Sequence, residues 1–230
     1  MFNPQEGITR VFISYSNENS AEVSYISEAL KRNGFTPYVA EWSPIPGEYI
    51  SKKIANAILE SLNFVYLLTK TSITSQWLNQ ELGFAYALKH LNDVQKDQTI
   101  LKRFPLLDTV VRSALHPFNP IEIYPIIEKG LDFKGFIDKS IEYIPYDPKD
   151  SESAAINLLP HIRTRVRENY QAKLKMYVKC DRCGNDMYFD LPDERRIQRG
   201  IEEYEYLVVQ CTKCKNDLYI DPLTFSIKSK

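Results

Sequence analysis

All four cysteines of this chain lie between positions 180 and 214, in two C-x-x-C pairs that are halves of an internal repeat. Cys180-Asp-Arg-Cys183-Gly-Asn-Asp-Met-Tyr-Phe-Asp190 matches Cys211-Thr-Lys-Cys214-Lys-Asn-Asp-Leu-Tyr-Ile-Asp221 at both cysteines, at Asn-Asp, at the tyrosine and at the final aspartate, across a 27-residue spacer. A two-residue gap lets both thiolates of a pair converge on one ion, and two pairs complete the tetrahedral shell that zinc takes. Reduced free thiols and a redox dithiol are the alternatives. The first leaves a segment of roughly 60 residues with little core to fold around. The second wants its C-x-x-C at the start of a helix beside a βαβ unit, whereas both pairs here sit between strand-like runs. A shell filled by four cysteines has no open position for water, so Cys180, Cys183, Cys211 and Cys214 read as ligands of a structural zinc in a small β-rich ribbon, residues 173–230. Catalysis then belongs to the first 179 residues, which contain no thiol.

Those residues alternate short apolar runs with helical periodicity. Arg10-Val-Phe-Ile-Ser-Tyr15 is a short apolar, β-branched and aromatic run bounded by polar residues, as in a strand buried on both faces. Asn19 and Glu22 have capping-box-like spacing, and Val23, Ile26, Ala29 and Leu30 recur helically until Gly34 stops the helix. Phe35 to Val39 reads as a second strand. Glu41 to Gly47 is a loop, since two prolines and a glycine in four positions continue neither element. Ile50, Ile54, Ile58 and Leu62 mark a helix, Asn63 to Thr69 a third strand, and Ser75 caps a helix carrying Trp77, Glu81, Phe84 and Leu88. The stretch from Lys89 to Pro120 has weaker patterning and is left unassigned, including the apolar run Leu106 to Leu115. Ile121 to Ile127 and Ile141 to Tyr146 read as the fourth and fifth strands, and Ala154 to about Tyr170 as a closing helix despite Pro160. Alternating strands and helices imply a parallel sheet with right-handed crossovers, an α/β, flavodoxin-like doubly wound layout.

The hydrophobic fraction is 43% and the charged fraction 26%, as in soluble globular proteins, with no apolar run near the roughly 20 residues of a membrane span. MFNPQEGITR lacks the basic start and apolar stretch of a secretory signal, so the expectation is a cytoplasmic protein without membrane partners. Twenty-nine basic against 30 acidic residues supply no general attraction for nucleic acid. Residues 171–230 are balanced too, at 11 basic and 10 acidic, although Arg195, Arg196 and Arg199 in the ribbon form a local patch through which nucleic acid could bind.

Val11-Phe-Ile-Ser-Tyr15, Gly34-Phe35, the Pro46-Gly47-Glu48 loop, Ile54 to Ile58, Ser61-Leu-Asn-Phe-Val-Tyr-Leu-Leu-Thr69 and Ser75-Gln-Trp-Leu-Asn-Gln-Glu81-Leu-Gly-Phe-Ala85 fall in the order and spacing of the TIR family. The chain resembles that family from residue 8 to about 172. The resemblance implies a five-stranded flavodoxin-like domain. Its members include enzymes that cleave NAD, some of which cyclise the ADP-ribose product, and others that only assemble, so two functions are implied: an NAD glycohydrolase or cyclase switched on by self-association, akin to prokaryotic immune effectors or signal generators, and a non-catalytic scaffold.

In catalytic members the glutamate matching Glu81 is the essential one. A carboxylate suits the reaction because breaking the ribose–nicotinamide bond develops positive charge at the anomeric carbon, and because nicotinamide leaves from a cationic ring without a general acid. Ser14, Tyr15, Ser16, Trp42, Gly47 and Trp77 are the expected substrate contacts. A solvent-facing charge is the ordinary fate of a glutamate, Trp77 is equally suited to anchoring the core, and Glu41 and Glu48 are rival carboxylates. The family often has an aspartate where Ala40-Glu41 stands, and it passes more quickly from the Glu81 helix to the next strand. His90, His116 and His161 lie outside the matched motifs and read as surface or packing residues.

Overall fold

The computed structural model describes residues 4–39, 50–96, 121–132 and 142–228. In chain order they form α1 (Pro4–Thr9), β1 (Arg10–Ser14), α2 (Ser20–Arg32), β2 (Thr36–Val39), α3 (Ile50–Leu59), β3 (Asn63–Leu68), α4 (Gln76–Lys96), β4 (Glu122–Glu128), β5 (Ile144–Tyr146), α5 (Ser151–Tyr170), β6 (Lys175–Lys179), β7 (Asp186–Asp190), α6 (Glu194–Glu202), β8 (Leu207–Gln210), β9 (Asp217–Ile220) and β10 (Ile227–Lys228). The first five strands make one sheet in the order β2-β1-β3-β4-β5, the flavodoxin-like arrangement expected from the alternating pattern. Its centre explains the continuous apolar runs: all six residues of β3 are buried, and β3 pairs in parallel with β1 (Val11 opposite Asn63) and with β4 (Asn63 opposite Glu122). The unassigned stretch from 97 to 120 lies outside the described residues.

The chain divides into two compact units, one of residues 1–18 and 38–143 and the other of 19–37 and 144–230. In the first, alternate side chains Phe12, Phe64, Tyr66 and Leu68 project onto one face of the sheet and meet Ile54, Ala57 and Ile58 of α3 and Leu78, Leu82 and Ala85 of α4. Phe12 stacks on Phe64 with ring centroids 5.4 Å apart. Each buried side chain of this size contributes roughly 1.5 to 3 kcal/mol of transfer free energy, so this layer fixes the position of α4. Asn63 enters the core with its amide satisfied: its Nδ2 donates to the Ile8 carbonyl at 2.9 Å, and Tyr124 Oη donates to its Oδ1 at 3.3 Å.

In the second unit α2 packs against α5 and β6. The capping box expected at Asn19 and Glu22 does not form. Asn19 is the last residue of a 3-10 turn, Asn17–Asn19, with φ −105° and ψ 25°, outside the extended geometry that points a cap side chain at the helix, and makes no side-chain cap bond. Glu22 instead accepts from Tyr146 Oη at 2.8 Å. Asp150 caps α5 by accepting from the Ser153 N–H at 3.2 Å, and the helix runs unbroken through Pro160. The lost backbone bond is offset by burial of Ala155, Leu158, Leu159, Ile162 and Val166. Arg163, 2% exposed, donates through Nε to Glu194 Oε2 at 3.0 Å and through Nη1 to Asn33 Oδ1 at 2.9 Å; Arg167 Nη1 reaches the same Glu194 Oε2 at 3.0 Å. Gly34 turns at φ +78°, and a Cβ there would lie 2.0 Å from the Lys175 carbonyl oxygen.

The cysteine-bearing part is β-rich, with β6 and β7 in one antiparallel hairpin and β8, β9 and β10 in a three-stranded sheet. The spacer between the pairs, read from sequence only as strand-like texture, contains the helix α6. Asp193 caps it, accepting from the Arg196 N–H at 2.8 Å.

Candidate functional site

Glu81 sits on α4 one turn beyond Trp77, a placement set by the packing of Leu78, Leu82 and Ala85 into the core. That rotation turns its side chain inward. Glu81 is 6% exposed, and its Oε2 accepts a hydrogen bond of 2.5 Å from the Oγ of Ser14, the last residue of β1. Burial pushes its pKa from 4.5 to about 7, against the opposing hydrogen bonds from Ser14 and Trp77. Tyr66, directly opposite Ser14 in the β1–β3 register, is pushed up to about 12, first by burial and then by the nearby charge of Glu81 and by Tyr86, so its phenol stays neutral. A cleft of about 110 Å³ adjoins the carboxylate, lined by Ile54, Ala55 and Ile58 of α3 and Trp77, Gln80 and Phe84 of α4. In strand order 2-1-3-4-5 the connections diverge between β1 and β3, and ligands of open α/β sheets bind outside the carboxyl ends of strands at that switch point. Ser14 is at the carboxyl end of β1, beside β3.

The second constellation is the four cysteines, whose Sγ atoms all lie within 4.8 Å of one another. Cys180 Sγ is 3.7 Å from Cys214 Sγ, and Cys183 Sγ is 3.6 Å from Cys211 Sγ. A tetrahedron with zinc–sulfur bonds of about 2.3 Å has edges of about 3.8 Å, so the spacing fits one tetrahedral ion. The two knuckles are built alike: the Cys180 N–H donates to the Asn185 carbonyl and the Cys211 N–H to the Asn216 carbonyl, while Gly184 and Lys215 both take positive φ. The backbone N–H of Cys214 points at Cys211 Sγ, 3.5 Å away, which holds that thiol below its ordinary range and favours the thiolate a metal needs.

A family model for the TIR domain matches residues 11–125, half of the chain. The chain belongs to the TIR family. No curated protein matches it closely enough to be called a relative.

Within this TIR domain the expected site residues separate by position. Ser14, Trp77 and Glu81 come together at the end of β1. Tyr15 and Ser16 follow on the same loop and are half-buried. Trp42 and Gly47 lie outside the described residues, as do the rival carboxylates Glu41 and Glu48 and the histidine His116. Glu81 is not the solvent-facing charge that its residue type suggests, and Trp77 does two things at once, packing on the core cluster and walling the cleft. His90 and His161 are exposed. Tyr66 escaped the sequence reading because nothing distinguishes it from the other apolar residues of β3; only its register opposite Ser14 brings it to the glutamate. No helix among the described residues is long and apolar enough to cross a membrane.

Proposed function

We propose that this TIR domain cleaves NAD between ribose and nicotinamide, with Glu81 as the catalytic residue. The observation that carries the reading is a carboxylate drawn inward at the sheet's switch point, hydrogen-bonded to the end of β1 and flanked by an aromatic-walled cleft. As the C1′–N bond breaks, its electron pair neutralises the pyridinium ring, which departs as nicotinamide, and the ionised Glu81 stabilises the positive charge left on C1′. Water captures that carbon and releases a proton, giving ADP-ribose; capture by an adenine nitrogen gives a cyclic isomer. Because Glu81 titrates near 7, turnover rises with pH through that region.

The cleft of about 110 Å³ holds one ring of a dinucleotide rather than the whole, against the roughly 300 to 1,000 Å³ of common ligand pockets. That size favours, as the second reading, a scaffold that docks other TIR domains without turnover. Nicotinamide release by purified protein decides between them. The Glu81→Gln variant keeps size and helix compatibility, and is expected to lose about 10² to 10³ of the rate, as expected when about 3 to 4 kcal/mol of electrostatic stabilisation is removed. Equal release by both proteins removes Glu81 from the site, and no release at any protein concentration leaves the scaffold.

Further parts of the proposal come from the family and the cysteines. Self-association through TIR surfaces, with the loop around Gly47 in the contact, makes specific activity rise with protein concentration; constant activity across dilution in a monomeric protein refutes this. A cytoplasmic role in immune defence or signalling suits such an enzyme. Cys180, Cys183, Cys211 and Cys214 hold zinc, which supplies cross-linking rather than chemistry to a ribbon at 173–230 that follows the TIR domain at 8–172.

A further inference from the structure

Ser14 is shut away from solvent at 1% exposure, at the foot of a glutamate that is itself 6% exposed. A hydroxyl buried so fully is poorly placed to meet a substrate arriving from solution and well placed to act on the carboxylate. Its Oγ–H donates to Glu81 Oε2 at 2.5 Å, the length of a charge-assisted O–H···O bond. We propose that Ser14 is a positioning residue rather than a substrate contact: its hydroxyl, resting on the reading of Glu81 given above, fixes the orientation of the carboxylate and favours the ionised form on which NAD cleavage depends.

The surroundings give this one bond its leverage. Facing Glu81 from α3 are Ile54, Ala55 and Ile58, which offer no polar group, and from β3 comes Tyr66, a buried neutral phenol with Tyr86 of α4 nearby. Burial among these groups drives the carboxyl toward its protonated form. Ser14 and, after it, Trp77 are the hydrogen-bonding partners that oppose this. Ser14 is also fixed where it stands: it pairs with Tyr66 in the β1–β3 ladder and cannot move without breaking the centre of the sheet. The bond is thus a rigid donor on the sheet aimed at a carboxylate on a helix.

The test compares wild type with Ser14→Ala, which removes the donor, and Ser14→Thr, which keeps it on a residue suited to a strand. Two readouts are taken: the pH profile of kcat and KM for nicotinamide release, and the titration of the Glu81 carboxyl carbon by ¹³C NMR, assigned with Glu81→Gln. A hydrogen bond to a charged group is worth enough to move a titration by about one pH unit or more. Ser14→Ala is therefore expected to move both midpoints upward by about that much, lowering kcat roughly tenfold below pH 7 with KM little changed, while Ser14→Thr keeps the wild-type midpoint. An unshifted carboxyl titration in Ser14→Ala, or a raised KM with an unshifted pH profile, overturns the proposal, the latter making Ser14 a substrate contact. Absence of nicotinamide release from wild type defeats the NAD reading instead, and in that case the NMR titration still decides whether Ser14 governs Glu81.

Discussion

Replacing Glu81 by Gln is expected to stabilise the protein, and to do so only where the glutamate is ionised. The carboxyl titrates at 4.5 when unfolded and at about 7 in the fold, because burial disfavours its charged form more than Ser14 and Trp77 favour it. A folded-state value above the unfolded one means that the group's contribution is fully present below pH 4.5 and is lost as pH rises through about 7. The interval between the two values, at about 1.4 kcal/mol per pH unit, makes the ionised glutamate a burden of roughly 3 kcal/mol at pH 8.5. Gln retains an acceptor for the Ser14 hydroxyl and carries no charge, so Glu81→Gln and wild type should differ little near pH 4.5 and diverge by about that amount at pH 8.5. For a chain of this size that divergence corresponds to roughly 6 to 12 °C in Tm. The assay is a pair of thermal or urea melts at pH 4.5, 5.5, 6.5, 7.5 and 8.5, read as the difference between the two proteins so that all other titrations cancel. Curves that stay parallel across this range would refute the reasoning, since they would place the Glu81 carboxylate in water.

Metal analysis of the purified protein is expected to find about one zinc per chain, and Cys180→Ser or a strong chelator should open residues 175–225 to protease; a metal-free protein with a resistant C-terminus contradicts the ribbon assignment. Gly34→Ala should be severely destabilising, by about 3 kcal/mol or more, because the residue needs positive φ and its new Cβ would collide with the Lys175 carbonyl; a melt within 1 kcal/mol of wild type, roughly the cost of the strained φ alone, shows that β6 can move aside. Glu194→Ala should cost about 1.5 to 3 kcal/mol by leaving the buried Arg163 guanidinium with Asn33 but without its carboxylate, itself a third exposed, and Arg163→Met should be less harmful than that; the reverse order in urea melts refutes the argument from the buried guanidinium. At Lys215, where the second knuckle takes the positive φ that Gly184 supplies in the first, substitution by Gly should stabilise by up to about 1 kcal/mol, and a destabilised Lys215→Gly melt refutes the backbone-strain argument.

What could be read from the sequence was what local chemistry decides. Val11 to Ser14 and Asn63 to Leu68 announced buried strands because a strand covered on both faces needs no polar alternation, and Ser75 announced its helix by the N-cap bond it makes to Leu78. Asn19 has the same kind of signature and fails, since the 3-10 turn that it ends sets its backbone and no residue-level rule reveals that turn. Asp193 before Glu194 is an adequate helix start inside the spacer, but the paired cysteines and tyrosine-rich runs on either side of it point to β structure. At the site, four positions on one helix fix the spacing of Trp77 and Glu81, but only the resemblance to the TIR family singles out Glu81 from other glutamates. The Ser14 bond was not, because it joins residues 67 apart through the register of β1 on β3 and the rotation of α4, which only the assembled core determines. Arg163 and Glu194 were invisible for the same reason, at a separation of 31.

The interrupted second unit also has a timetable. Asn33, at the end of α2, accepts from Arg163, 130 residues later in the chain. At roughly 5 to 20 residues per second, a ribosome needs about 6 to 26 seconds to supply that partner. Through this interval the apolar face of α2, with Val23, Ile26, Ala29 and Leu30, has been made while α5 and β6 have not. The nascent chain therefore carries α2 without these two partners until its last third emerges, and the cysteines emerge later still. A ribosome stalled before residue 144 would leave residues 19–37 without the rest of the compact unit to which they belong.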